Sequence, residues 1–187
     1  MKKMKKSDLW TIPNMICYLR ILLIPVFVYL YFHATTLHEY YVAIGVVIFS
    51  SFTDLFDGMI ARRFHQVTEL GKVLDPVADK LTHAALALCL ALRYPLMRYL
   101  LILMLLKEGY MAIMGAIMLK RGKMLNGAMW YGKVCTALLF IGMVVMYAFP
   151  TMDIHSVNII IVIIMAMMAY TWLRYIIVYQ LMLKEVD

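Results

Sequence analysis

Two pairs of aspartates hold the residue types and spacings that can do chemistry. Asp54 and Asp57 are three residues apart and Asp75 and Asp79 four apart, so on helices each pair projects from one face. The pairs end neighbouring apolar stretches joined by one loop, which brings four carboxylates together. Beside lipid such a group is self-repelling and costly to desolvate, so either protons stay on or cations neutralise it. An oxygen-only donor set suits magnesium or manganese over zinc, and two such ions bridge the phosphates of a substrate. Gly58 and Gly71 lack side chains beside these acids, which lets a flat base or a phosphate approach the backbone. Arg62, five residues past Asp57, is placed to reach a pyrophosphate oxygen. The competing reading makes the acids helix caps paired with Arg62, Arg63, Lys72 and Lys80.

What must position these residues is a membrane bundle. Of 187 residues, 65% are apolar and 16% charged, with mean hydropathy +0.83; a soluble domain is roughly 45–50% apolar and about 25% charged. A soluble globule is excluded. At about 20 residues per span, apolar runs and breakers predict an all-α polytopic fold of six transmembrane helices. They run from Ile12 to Phe32, Tyr40 to Arg62, Asp75 to Leu92, Leu96 to Leu119, Ala128 to Phe149 and Val157 to Leu183. Pro13 opens the first and Pro150 closes the fifth.

Lys2, Lys3, Lys5, Lys6, Arg62, Arg63, Lys72, Lys120, Arg121, Lys123 and Lys184 fall on one side of this layout, and only Arg93 and Arg98 on the other. The positive-inside bias makes that richer side cytoplasmic, with both termini inside a cell membrane and the acidic site at the cytoplasmic face. Residues 1–187 read as a single domain with a basic lead over 1–11; the first apolar run lacks a small-residue cleavage site and stays as a span. The net charge of +7 implies anionic lipid rather than nucleic acid. Cys17, Cys89 and Cys135, odd in number and far apart, are expected to be buried thiols. Arg20, six residues past Asn14 in the first span, reads as an anchor snorkelling near the cytoplasmic face.

The stretch from Asp54 to Asp79 resembles the signature of the CDP-alcohol phosphatidyltransferase family, D-x2-D-G-x2-A-R-x8-G-x3-D-x3-D. All eight fixed positions are present: Asp54, Asp57, Gly58, Ala61, Arg62, Gly71, Asp75 and Asp79. Ile12-Pro13-Asn14 with Arg20 is similar to the first span of the phosphatidylglycerophosphate synthase and cardiolipin synthase branch. The resemblance implies that Asp54, Asp57, Asp75 and Asp79 hold two Mg2+ or Mn2+ ions. It also implies that Asp79 doubles as general base and that Gly58, Ala61 and Gly71, with Arg62, bind the CDP-lipid. The implied donor is CDP-diacylglycerol and the implied assembly a homodimer. Ala84, Ala87 and Ala91 supply small residues at a spacing that lets helices approach closely.

The acceptor is read from Lys107, Lys133 and Arg174, cations inside the fourth, fifth and sixth apolar runs where a lone charge is costly. Glu108 is a candidate partner for one of them; the functional reading gathers all three round an anionic acceptor such as glycerol 3-phosphate. Gly132-Lys133-Val134-Cys135-Thr136 resembles the Gly-Lys-x-Lys-Thr stretch of phosphatidylglycerophosphate synthases, with Cys135 in place of the second lysine. Phosphatidylglycerol, the acceptor of a cardiolipin synthase, stays open as the alternative. A membrane transporter and an intramembrane prenyltransferase are the more distant ones.

Overall fold

The computed structural model describes residues 11–63, 71–122, 127 and 129–184. The regular elements among the described residues are six α-helices: α1 (Ile12–His33), α2 (Leu37–Arg63), α3 (Gly71–Arg93), α4 (Pro95–Lys120), α5 (Trp130–Ala148) and α6 (Ile154–Lys184). A helix pairs its own backbone polar groups, which is what a chain surrounded by hydrocarbon requires. The chain is an all-α polytopic membrane protein, and α1, α4, α5 and α6 are long and apolar enough to cross a bilayer.

Six helices were expected and six are present among the described residues, with α2 and α3 less apolar there than the other four. Among the described residues the apolar part of α2 is the shorter stretch Leu37–Ser51, and α3 opens with Lys72, Asp75, Asp79 and Lys80 in its first ten residues. In α3 the residues of the acidic signature, with Lys72 and Lys80, are the ones that lower the apolarity of the helix. Helix α3 also begins at Gly71 rather than Asp75, so Pro76 lies inside it. Its ring leaves the Lys72 carbonyl without an i+4 donor, while its fixed φ stays compatible with the helix.

The chain divides into two compact units, Met1–Cys89 and Leu90–Asp187. In the first, α1 and α2 pack along one another, with Tyr31 of α1 and Tyr40 of α2 at 5.6 Å between ring centroids. Phe27 of α1, Val47 and Ser50 of α2, and Thr82 and Leu86 of α3 line a small apolar cleft where the three helices meet. Hydroxyls here bond back along their own helices: Thr82 Oγ1 donates to the Ala78 carbonyl and Ser51 Oγ to that of Val47, both at 2.9 Å. Ala87 is buried here and Ala91 in the second unit, so their spacing serves packing within one chain.

In the second unit α6 packs against both α4 and α5. Val157, Ile161, Ile164, Met168, Thr171, Tyr175 and Tyr179 are its buried residues, three or four apart and hence one stripe. Gly142 of α5 meets that stripe: a Cβ there would land on Ile164 Cδ1, so a larger residue would have to displace that side chain. Arg93 Nη2 donates to the Pro150 carbonyl at 2.6 Å, and Arg98 Nε to that of Ala91 at 3.1 Å. Both guanidiniums thus tie off helix ends. Gly122, at φ 77°, ends α4 in the left-handed region that favours glycine.

Helix α2 begins three residues ahead of Tyr40 because Thr36 and Glu39 form a capping box. Thr36 Oγ1 accepts the Glu39 N–H at 3.3 Å. In return Glu39 Oε2 accepts the N–H groups of Thr36 and Thr35 and the Thr35 hydroxyl, at 3.3, 2.7 and 2.9 Å. These bonds, the Thr35 N–H first, hold the Glu39 carboxyl below its ordinary pKa. A depressed carboxylate contributes stability above its unfolded pKa and loses it as pH falls through the folded value. The thermal stability of Glu39→Gln in detergent should therefore fall below the parent's at neutral pH, and the gap should close as pH drops below the ordinary glutamate range. A gap independent of pH would show that the carboxylate's charge is not what caps α2.

Candidate functional site

Asp75 and Asp79 lie four apart in α3 with side chains 50% and 44% exposed, so both carboxylates are open to a ligand. From α1, Arg20 Nη1 lies 3.6 Å from Asp75 Oδ1, and the Cys17 thiol donates to the same oxygen at 3.8 Å. His83 Nδ1 stands 3.9 Å from Asp79 Oδ2, one turn along the helix. That separation makes His83 a neighbour of Asp79 rather than a hydrogen-bond partner. Gly71 begins the same helix.

Asp54, Asp57, Gly58, Ala61 and Arg62 lie on α2, and their side chains are outside the described residues. Among the described residues no group of three or more His, Cys, Asp or Glu converges. The half that is described fits a hard divalent metal. It offers carboxylate oxygens one helical turn apart, exposed enough to admit an ion, with one of them anchored from α1 as metal-ligating carboxylates usually are.

Snorkelling is corrected for Arg20. Its exposure is 2%, because a guanidinium that cannot shed its proton is drawn to the acid on α3 rather than to the surface. Sequence reasoning missed Cys17 and His83 as neighbours of the acids. Their i,i+3 spacing to Arg20 and i,i+4 spacing to Asp79 were the available signals. All three cysteines are buried and outside any disulfide, as expected.

The three cations proposed for an acceptor sit differently from one another. Lys107, 5% exposed, donates from Nζ to Glu108 Oε1 at 2.7 Å, so a carboxylate already offsets its charge. Cys135 is buried within electrostatic reach of that pair. Lys133 and Arg174 are exposed. Arg174 holds its guanidinium 5.7 Å from the centre of the Tyr131 ring, two residues before Lys133.

Tyr175 fixes this end of α5. Its hydroxyl accepts the Met129 N–H at 3.2 Å, one of the donors a helix start leaves unpaired. Its ring meets Tyr131 edge-on at 5.2 Å. It also fills the space beside Gly132, where a Cβ would land on the Tyr175 hydroxyl. The register of Gly132-Lys133 is thereby set by α6.

Comparison with known proteins follows the same lines. The family model described as CDP-alcohol phosphatidyltransferase matches residues 10–173. A CDP-diacylglycerol–glycerol-3-phosphate 3-phosphatidyltransferase of Pseudomonas fluorescens is 50% identical over 70 residues, 37% of this chain and 35% of the relative. The human cardiolipin synthase (CMP-forming) is 45% identical over 73 residues, 38% of the chain and 23% of the relative. A putative cardiolipin synthase of Mycobacterium bovis is 29% identical over 141 residues, 75% of the chain and 63% of the relative. Each match spans less than two thirds of the relative's length.

The Tyr175–Gly132 contact is testable through stability alone. Tyr175→Phe removes the acceptor of the Met129 N–H and should cost about 0.5–1.5 kcal/mol, and Gly132→Ala should cost about 1–3 kcal/mol by overpacking. The hydroxyl is the atom in the way, so the double variant should be more stable than the sum of the two losses implies. Additive losses in thermal unfolding in detergent would show that the two positions do not meet.

Proposed function

The chain belongs to the CDP-alcohol phosphatidyltransferase family, and on that premise we propose that it moves the phosphatidyl group of CDP-diacylglycerol to glycerol 3-phosphate, releasing CMP and forming phosphatidylglycerophosphate. The observation that carries this is the complete eight-position signature with its second half displayed as two half-exposed carboxylates on one helix. The family uses a divalent metal. In this reading residues 1–187 form one such domain in a cell membrane, with the site at the cytoplasmic face where lysine and arginine accumulate. A homodimer is part of the proposal and rests on the resemblance, since Ala87 and Ala91 are buried in a single chain.

Asp54, Asp57, Asp75 and Asp79 are the residues that would hold two divalent ions. Such ions, when bound, neutralise the donor's pyrophosphate and the charge developing on the departing CMP. Gly58, Ala61 and Gly71 admit the cytidine, and Arg62 binds a pyrophosphate oxygen. Asp79 takes the proton from the acceptor hydroxyl. The freed oxygen attacks the phosphorus that carries diacylglycerol, the bond from that phosphorus to the bridging oxygen breaks, and CMP leaves with the electron pair. Lys133 and Arg174 bind the acceptor's phosphate; Lys107 sets the local charge together with Glu108.

One observation favours a second acceptor. Glu108 offsets Lys107 and Cys135 replaces a lysine, so fewer cations are free for a small dianion than the sequence count suggests. Phosphatidylglycerol, giving cardiolipin, makes a smaller demand on positive charge. Purified protein supplied with CDP-diacylglycerol, magnesium and either acceptor should release CMP and form phosphatidylglycerophosphate. Cardiolipin formed from phosphatidylglycerol, with glycerol 3-phosphate ignored, would move the assignment to the second acceptor. No magnesium-dependent CMP release with either would remove the transferase reading and leave a transporter.

Asp79→Asn keeps the shape of the side chain but cannot accept a proton, so it should abolish transfer while retaining CDP-diacylglycerol binding. Activity within about tenfold of the parent would remove Asp79 as base. Neutralising Lys133 or Arg174 should raise the acceptor KM or lower kcat/KM by roughly ten- to a hundredfold, the equivalent of about 1.5–3 kcal/mol for a charge-assisted contact. An unchanged donor KM is expected alongside, and an unchanged acceptor KM would take these cations out of the acceptor site.

A further inference from the structure

Helix α1 carries a polar stripe on an otherwise apolar membrane span. Asn14, Cys17 and Arg20 follow one another at intervals of three residues, which keeps them on one side of the helix, and each is at most 2% exposed. Packing does not explain the choice of residues, because an aliphatic side chain would fill such positions at lower desolvation cost. What Cys17 and Arg20 share is an atom. The thiol at 3.8 Å and the guanidinium Nη1 at 3.6 Å both approach Oδ1 of Asp75.

Contacts to one carboxylate oxygen from two points on another helix restrict rotation of that carboxylate. The Asp75 side chain nevertheless remains half exposed, so the constraint does not close it to a ligand. We propose that Cys17 and Arg20 are positioning residues for Asp75, holding its carboxylate through Oδ1 so that Oδ2 is presented to a divalent cation. This rests on the metal-site reading above and adds that α1 supplies the outer layer of the site. Groups that orient a ligating carboxylate typically matter for affinity by about ten- to a hundredfold. Neither residue touches substrate in this assignment, and each acts through Asp75.

Binding of Mn2+ to the full chain in detergent, followed by the electron paramagnetic resonance of free Mn2+ without any substrate, tests the proposal. Asp75→Asn serves as reference and should bind Mn2+ far more weakly than the parent. Arg20→Gln should weaken binding by roughly ten- to a hundredfold. Cys17→Ala should weaken it to a smaller extent, and Cys17→Ser, whose hydroxyl donates to Oδ1 once the half-exposed Asp75 side chain shifts to meet the shorter C–O bond, should restore part of it. The cysteine pair keeps the test decisive if Arg20→Gln fails to fold, because alanine and serine differ little in volume and a purely structural role would not separate them. Parental Mn2+ affinity in Cys17→Ala and Arg20→Gln alongside weak binding in Asp75→Asn would overturn the positioning role and leave the metal site standing. Equal affinity of Cys17→Ser and Cys17→Ala would overturn the part assigned to the thiol. Parental affinity in Asp75→Asn would overturn the metal-site reading itself.

Discussion

The structure depends on the cost of leaving a charge or a hydrogen-bonding group without a partner in a chain that is largely surrounded by hydrocarbon. That cost reaches several kcal/mol for a backbone group away from water and more for an ion. Each polar contact described here answers it in some way. Arg20 meets Asp75, Lys107 meets Glu108, Arg93 takes the Pro150 carbonyl, and the threonine and serine hydroxyls return to their own helices. Because partners are scarce at these depths, each pairing also fixes a helix register, and the few charges do more to specify the fold than their number suggests.

The same constraint separates residues that hold the structure from residues available for chemistry. A buried cation paired at short range, as Lys107 is with Glu108, has its field largely cancelled and acts as a dipole. The half-exposed carboxylates of Asp75 and Asp79 and the exposed Lys133 and Arg174 keep access to solvent and ligands. In the proposed reading an ion or a phosphate bound at these positions would link affinity to local stability.

Close helix approach supplies the remaining order. Without a strong hydrophobic drive between helices in lipid, association rests on fit, and small residues decide where backbones come near. Gly142 against Ile164 and Gly132 against Tyr175 are two such places along α5. In the second, Tyr175 also accepts the Met129 N–H at the helix start that carries Lys133. The packed end of the second unit thus carries Lys133, the cation proposed for the acceptor.

The sequence by itself determined the class, the helices and the acidic motif. Near-continuous apolar runs of about 20 residues point to helices in lipid, because the strands of a closed barrel would alternate apolar and polar residues, and the eight signature positions are adjacent enough along α2 and α3 to be read as local spacing. The start of α2 carried a signal that the reading from Tyr40 passed over, since Thr36-Leu37-His38-Glu39 is a capping box within four residues. Only the tertiary structure decided which charges meet. Arg20 and Asp75 are 55 positions apart in the chain, and nothing in the periodicity of α1 separates a guanidinium that snorkels to the surface from one turned toward α3. Tyr175 and Met129, 46 apart, pose the same problem. Local patterns follow from the energetics of a single helix, whereas a partner across helices follows from how two surfaces pack.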